Sequence, residues 1–283
     1  MISKKGIQVI TGIIIVLVLL TGGLLVYMYG DFWEKVCGDG TLYSHCSVNF
    51  PYYCDKSQLV EKASVCNCPE GMEVKGDECV LDYKIGPKEI QLEYSLKLKS
   101  RYISLQVYEG VYDYFTRLPR SVNGNVVSLT DLKLNRIDDS VQREFLLPLV
   151  ISIQNLDKDK DDQAEIAISL IQNIDFGVST KTVRFADMEL DYQRYPYEVL
   201  YEGEGVCSEK SDLLAFLLKE LGFEVVIFHF VEENHEAVGI KCDKNDFKNS
   251  GYCYIETTTD QDVTASSEPI IVPISVGESI RNI

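Results

Sequence analysis

Apolar residues are spaced along this chain in distinct ways, and each spacing predicts a different element. The run from Ile7 to Tyr29 contains no charged residue. It is about as long as the 20 residues a helix needs to cross a bilayer. Lys4 and Lys5 precede it, and Asp31 and Glu34 follow. The positive-inside rule then places residues 1–6 in the cytoplasm and everything after residue 29 outside. A cleaved signal peptide would need a shorter apolar core and small residues at its end, and Tyr27-Met-Tyr29 does not supply them. A period of two appears at Leu92, Tyr94, Leu96 and Leu98, alternating with polar residues. It predicts a half-buried strand, continued by Tyr102–Val107 beyond a turn. A helical period appears at Ile166, Leu170 and Ile174 and again at Leu214, Leu217, Leu218 and Leu221, the second stopping at Gly222. Three short runs, Phe223–Phe230, His235–Lys241 and Tyr252–Thr257, read as successive strands. Alternation places Tyr252, Tyr254 and Glu256 on one face of the last.

Residues 83–160 are predicted to form an N-terminal extension packed on the following domain. Val111–Leu118 reads as a short helix, and Asn123-Gly124 as a tight turn. Glu144–Ile153 is apolar with Pro148 inside it, and both helix and strand stay open. The charge run Lys158–Asp162 reads as a solvated loop or first helical turn, and it lacks the spacing and glycine of an EF-hand calcium loop.

Composition changes the picture in two places. The net charge of −17 argues against nucleic-acid binding. Six of the nine cysteines crowd into residues 37–79: Cys37, Cys46, Cys54, Cys66, Cys68 and Cys79. Residues 31–82 are too few for a large core, and exported modules of that size rely on disulfides. Six cysteines allow 15 connectivities, and sequence does not choose among them. Zinc held by Cys66, Cys68 and His45 is the competing reading, but Cys-x-Cys is not the usual zinc spacing. Cys242 and Cys253 flank a polar loop between two strands, where a bridge fits. If it forms, Cys207 alone is left over. The bland reading of such a residue is a core thiol.

The surroundings of Cys207 favour chemistry. Gly203-Glu-Gly-Val lets the backbone turn sharply just before it. The leucine-faced helix begins there, so the free N–H groups and dipole of a helix N-terminus favour thiolate over thiol. A thiolate needs a base, and the chain has three histidines: His45, His229 and His235. His45 lies in the cysteine-rich segment. His229 sits within an apolar strand, with Phe228 and Phe230 on the opposite face, and reads as a strand residue. His235 opens the next strand, and Glu256 on the third can orient its ring. Asp243, Asp260 and Asp262 are rival acids that read as loop residues.

Tyr195-Pro-Tyr-Glu-Val-Leu200, Gly205-Val-Cys207, the leucine-rich helix, His235 and Tyr254-Ile-Glu-Thr257 together resemble the transglutaminase-like superfamily. The resemblance covers roughly the last hundred residues, from about Gln163. Two positions depart from the family's usual pattern: Val206 stands where many members have Asp, and Glu256 also stands where many have Asp. The resemblance implies an α+β fold with a papain-like core, a helix packed on an antiparallel sheet, over residues 161–283. It implies a triad of Cys207, His235 and Glu256, with Gln172 as a side-chain donor to an oxyanion. The simple alternative for Gln172 is an exposed helix residue, and Glu198 reads as a structural residue that caps or braces the glycine turn. Cys66–Cys79 looks like the closing hairpin of an EGF-like module. The expected protein is thus a membrane-anchored, outward-facing cysteine hydrolase acting on a protein or peptide through a thioester, with no cofactor. An inactive extracellular binding module and a cross-linking acyltransferase are the other readings.

Overall fold

The computed structural model describes Gly12 and residues 15–22, 35–69, 72–118, 128–185, 188–258 and 267–277. The chain divides into two compact units, residues 1–82 and 83–283. Residues 15–22 are helical and exposed; the rest of the expected span 7–29, apart from Gly12, lies outside the described residues. Among the described residues no helix is long and apolar enough to cross a membrane.

Among its described residues the first unit has very little apolar core, and cystines take its place. Its bridges are Cys37–Cys54, Cys46–Cys66 and Cys68–Cys79. Cys37, Cys54, Cys66 and Ala63 are the buried apolar residues among those described. Each bridge closes a loop of 11 to 20 residues, which contributes roughly 3 kcal/mol by restricting the unfolded chain. Two small hairpins, 52–61 and 72–81, hang on this frame. With Cys66 and Cys68 consumed in bridges, the zinc reading of Cys66, Cys68 and His45 fails, and His45 instead bonds the Tyr43 carbonyl through Nδ1 at 2.8 Å.

The second unit is mixed α+β. It begins with a long hairpin, β1 (Pro87–Leu96) and β2 (Lys99–Tyr108). Alternation buries Leu92, Tyr94, Leu96, Ile103, Leu105 and Val107 on one face. Leu98 departs from the predicted pattern. It sits with Lys97 in a two-residue turn where both have positive φ (51° and 63°), and its side chain is fully exposed. Two such φ values suit the right-handed twist of a hairpin. Three helices follow: α1 (Glu109–Arg117), α2 (Leu129–Ile137) and α3 (Ser140–Leu156). The Asn123-Gly124 turn lies outside the described residues. α3 resolves the open reading of Glu144–Ile153 as helix, capped by Asp139 and carrying Pro148 in its interior. The proline leaves its predecessors one donor short, and burial of Phe145, Leu146, Leu149, Val150 and Ile153 outweighs the loss.

α4 (Lys160–Gln172) starts within the charge run, with Asp159 capping it and Asp161 and Asp162 in its first turn. It packs on the β1–β2 hairpin, and the Ser95 N–H donates to Ser169 Oγ at 2.8 Å. Short strands β3 (Asp175–Phe176), β4 (Thr182–Phe185) and β5 (Met188–Asp191) lead to α5 (Pro196–Glu202). α5 is a helix that the Tyr195-Pro196 pair marks only at its start. Tyr195 is extended and Pro196 takes the first helical position, which needs no N–H donor. β6 (Glu204–Gly205) then precedes α6 (Cys207–Glu220), the central helix. The main sheet is antiparallel with strand order β9-β8-β7-β10, from β7 (Val225–Phe230), β8 (His235–Lys241), β9 (Tyr252–Ile255) and β10 (Ile270–Pro273). β10 is an addition to the three predicted strands. α6 packs against β7 and β8 and is flanked by α2, α4 and α5. The described residues of 83–160 therefore share one core with the segment that carries Cys207.

Candidate active site

The Cys207 turn is built by backbone geometry and buried charge. Gly203 has φ +77°, a left-handed conformation that suits glycine. At Gly205 a Cβ would meet Val199 Cγ1 at 3.1 Å and Lys210 Cγ at 3.3 Å. β6 pairs in parallel with β3, setting Gly205 opposite Phe176. Glu209 at the third helical position accepts from the Val206 N–H at 3.0 Å, satisfying one free donor of the helix start. Arg194, fully buried, braces the turn by donating to Glu202, Glu204 and Glu209. Glu198 has a structural role at the start of α5, accepting from the Tyr195 N–H at 2.8 Å and from the Tyr192 hydroxyl.

Cys207 is half-buried and is the free cysteine among the described residues, because Cys242 and Cys253 are bridged. Burial pushes its thiol pKa up. A hydrogen bond with the His235 side chain and N–H donation from Glu236 and Ser208 outweigh that, and the thiol ends below its ordinary value. His235 opens β8 and is 3% exposed. Burial lowers its pKa, but Cys207 and Glu256 overcome the effect and raise it to about 9. Its Nε2 lies 2.9 Å from Glu256 Oε2, which leaves Nδ1 for the sulfur. Burial likewise raises Glu256, but His235, Tyr254 and the Thr258 N–H bring it down to about 2. A lowered thiol beside a raised imidazole is the signature of a thiolate–imidazolium pair.

Glu256 lies just past the end of β9, on the same side as Tyr254, as the alternation predicted. Its Oε1 accepts from the N–H groups of Thr257 (2.9 Å) and Thr258 (3.1 Å) and from Thr258 Oγ1 (2.9 Å). Of the rival acids, Asp243 follows β8 in the loop before β9, and Asp260 and Asp262 lie outside the described residues.

Gln172 is placed elsewhere than expected. Its Nε2 donates to the Glu256 carbonyl at 2.9 Å, and it lines other depressions rather than the Cys207 cleft. The α4 C-terminus directs its amide to the backbone of the acid-bearing segment, so it braces Glu256 rather than lining the cleft beside Cys207. Two amide-bearing residues do line the cleft, Gln193 and Asn234, and Gln193 Nε2 donates to Ser208 Oγ at 3.3 Å. Gln193 lies in the loop before Pro196, where no periodicity marks it.

Cys207 and His235 open onto a cleft of about 550 Å³. One wall is α2, with Leu129, Leu132, Lys133 and Arg136. Lys133 Nζ donates to Asp212 Oδ1 (2.8 Å) on α6 and to Glu236 Oε2 (2.6 Å) on β8, and Arg136 Nε donates to Asp212 Oδ2 (3.0 Å). Asp212 has no exposed surface. Buried charges of this kind need partners, and removing one costs about 3–5 kcal/mol. His229 also lines the cleft. Its Nδ1 lies 2.8 Å from Glu236 Oε1, so it is hydrogen-bonded to an acid rather than a plain strand residue. Among the described residues no group of three or more His, Cys, Asp or Glu side chains could hold a metal ion.

No protein-family model matches the chain, and no curated protein matches its sequence. Among solved structures, a chain described as Legionella pneumophila LapG aligns at 14% identity, covering 52% of this chain and 77% of that one, with a TM-score of 0.28. A likeness that distant carries no argument about fold or activity.

Proposed function

We propose that residues 83–283 form a cysteine hydrolase of the transglutaminase-like type, which cleaves peptide or amide bonds through a thioester. The observation that carries the reading is the continuous chain of contacts Cys207–His235–Glu256 at a helix N-terminus, opening onto a cleft. In this account the Cys207 thiolate attacks the substrate carbonyl carbon. The oxyanion that forms is met by the Cys207 N–H, with Gln193 as a nearby side-chain amide. His235 gives its Nδ1 proton to the leaving amine, and the C–N bond breaks to leave the thioester. Water then gives a proton to His235 and attacks the thioester, and the thiolate leaves with the acid product released. Glu256 holds the imidazolium and its tautomer throughout.

The expected placement, anchored through residues 7–29 with everything after residue 29 outside the cell, belongs to the same proposal. Four disulfides support it, since bridges persist in oxidising compartments. The test of activity is peptide turnover followed by mass spectrometry. Cys207→Ala should abolish cleavage while leaving the melting temperature nearly unchanged. Cleavage that survives the substitution, or a thiol that iodoacetamide cannot reach at neutral pH, would leave an extracellular binding module instead.

A further inference from the structure

Glu256 is a long acid, with one more rotatable bond than Asp, and pointing it at an imidazole calls for extra restraint. Its Oε1 is anchored by Thr257 and Thr258, but those contacts alone leave the second oxygen free to swing about the anchored one. The second oxygen, Oε2, carries the bond to His235 and accepts one more hydrogen bond, from Tyr254 Oη at 2.7 Å. The same hydroxyl lies 3.4 Å from His235 Nε2, so phenol, carboxylate and imidazole form a closed triangle.

The Tyr254 ring cannot easily move. It stacks on Phe228, with centroids 6.1 Å apart and planes 21° apart, and packs on Phe247 at 5.0 Å. Phe228 reaches it because Gly239, opposite Tyr254 in the register, carries no side chain. A Cβ there would lie 2.7 Å from Phe228 Cε2. With the ring clamped, the hydroxyl has a fixed direction, toward Oε2.

We propose that Tyr254 is a positioning residue: its hydroxyl aims the Glu256 carboxylate at His235 Nε2 and so keeps the opposite ring nitrogen turned to the Cys207 sulfur. The inference rests on the hydrolase reading for its consequence in turnover, but its geometry stands apart from that reading. Burial and then Glu256 push the Tyr254 phenol above its ordinary pKa, so it remains a donor through the whole working range. The titratable groups that face the imidazole are Cys207 from α6 and Glu256 and Tyr254 from β9 and its end. Glu236, next along β8, spends its side chain on Lys133 and His229.

Tyr254→Phe tests this, because it keeps the ring and removes only the hydroxyl. In turnover, kcat should fall about tenfold with KM within about twofold, the size expected for one hydrogen bond to a charged group. The second readout needs no substrate. The pH dependence of Cys207 alkylation by iodoacetamide reports the thiolate–imidazolium pair directly. If the hydroxyl positions the acid, the upper limit of that pair moves down from about 9 as the carboxylate swings away. If it does not, removing a donor from Glu256 leaves the limit in place or raises it. Glu256→Gln should add less in the Tyr254→Phe background than in the native chain, because the two act as one unit. An unmoved or raised limit, together with strictly additive effects, would overturn the proposal and make Tyr254 a packing residue. A chain that cleaves no peptide, yet shows the downward shift, would refute the hydrolase reading and leave the positioning role standing.

Discussion

Two His–Glu pairs lie at one end of the main sheet, and they have different surroundings. His235–Glu256 is 2.9 Å apart and His229–Glu236 is 2.8 Å apart. His235 is 3% exposed and touches Cys207, whereas the His229 side chain is 26% exposed and faces the cleft. Glu256 receives only neutral donors apart from His235, so its charge acts on the imidazole. Glu236 also receives the Lys133 ammonium at 2.6 Å, so its charge is already balanced. The comparison teaches that a histidine beside an acid is not by itself a functional unit. A sulfur in contact and an acid with no competing cation make the difference.

That contrast can be broken from either side. The largest effect should come from the sulfur and its base: Cys207→Ala or His235→Ala should lower peptide turnover by at least about 10⁴-fold, as loss of a nucleophile or its base does elsewhere. Almost as large should be the stability loss of Lys133→Met, which takes the shared ammonium from Asp212 and Glu236 in the interior and leaves one cation, Arg136, for the two carboxylates. Chemical denaturation should show it destabilised by about 3–5 kcal/mol. Lys133→Met with Glu236→Gln should recover part of that, by removing the excess negative charge that Arg136 alone does not balance. Glu256→Gln should cost about 10²-fold in kcat. The pH profile follows from the same pair. His235 is raised to about 9, so the charged pair is complete below that value and turnover falls as the pH rises through it. Glu256 is lowered to about 2, so its contribution to stability is present above the ordinary carboxylate pKa and is lost as the pH falls through 2. The smallest effect sharpens the comparison: His229→Gln should leave turnover within about threefold, because its partner is already balanced by Lys133. A loss of a hundredfold at His229 would erase the distinction drawn here.

Much of this arrangement was legible because it is local. Gly203, Gly205 and the leucine face of α6 mark a helix that starts at Cys207, and simple alternation puts Tyr254 and Glu256 on one side of a strand. The loop between Cys242 and Cys253 advertises its own bridge. What periodicity does not carry is contact across long separations. Lys133 and Asp212 are 79 residues apart and Lys133 and Glu236 are 103 apart, and nothing near Lys133 marks it for burial. The same holds for Gln172, whose amide finds a backbone carbonyl 84 residues away. Pro148 within α3 and Leu98 at a hairpin tip show tertiary packing and turn geometry overriding local preference. β10 is short and exposed on one face, and only its pairing with β7 defines it.

The most direct test of the central claim is the rate of Cys207 alkylation by iodoacetamide as a function of pH, read by mass spectrometry without reductant. The account predicts modification of this single cysteine at neutral pH, with a midpoint below that of an ordinary thiol at about 8.5, and a midpoint restored to the ordinary range in His235→Ala. A midpoint at or above 8.5 in the native protein, unchanged by His235→Ala, would contradict it.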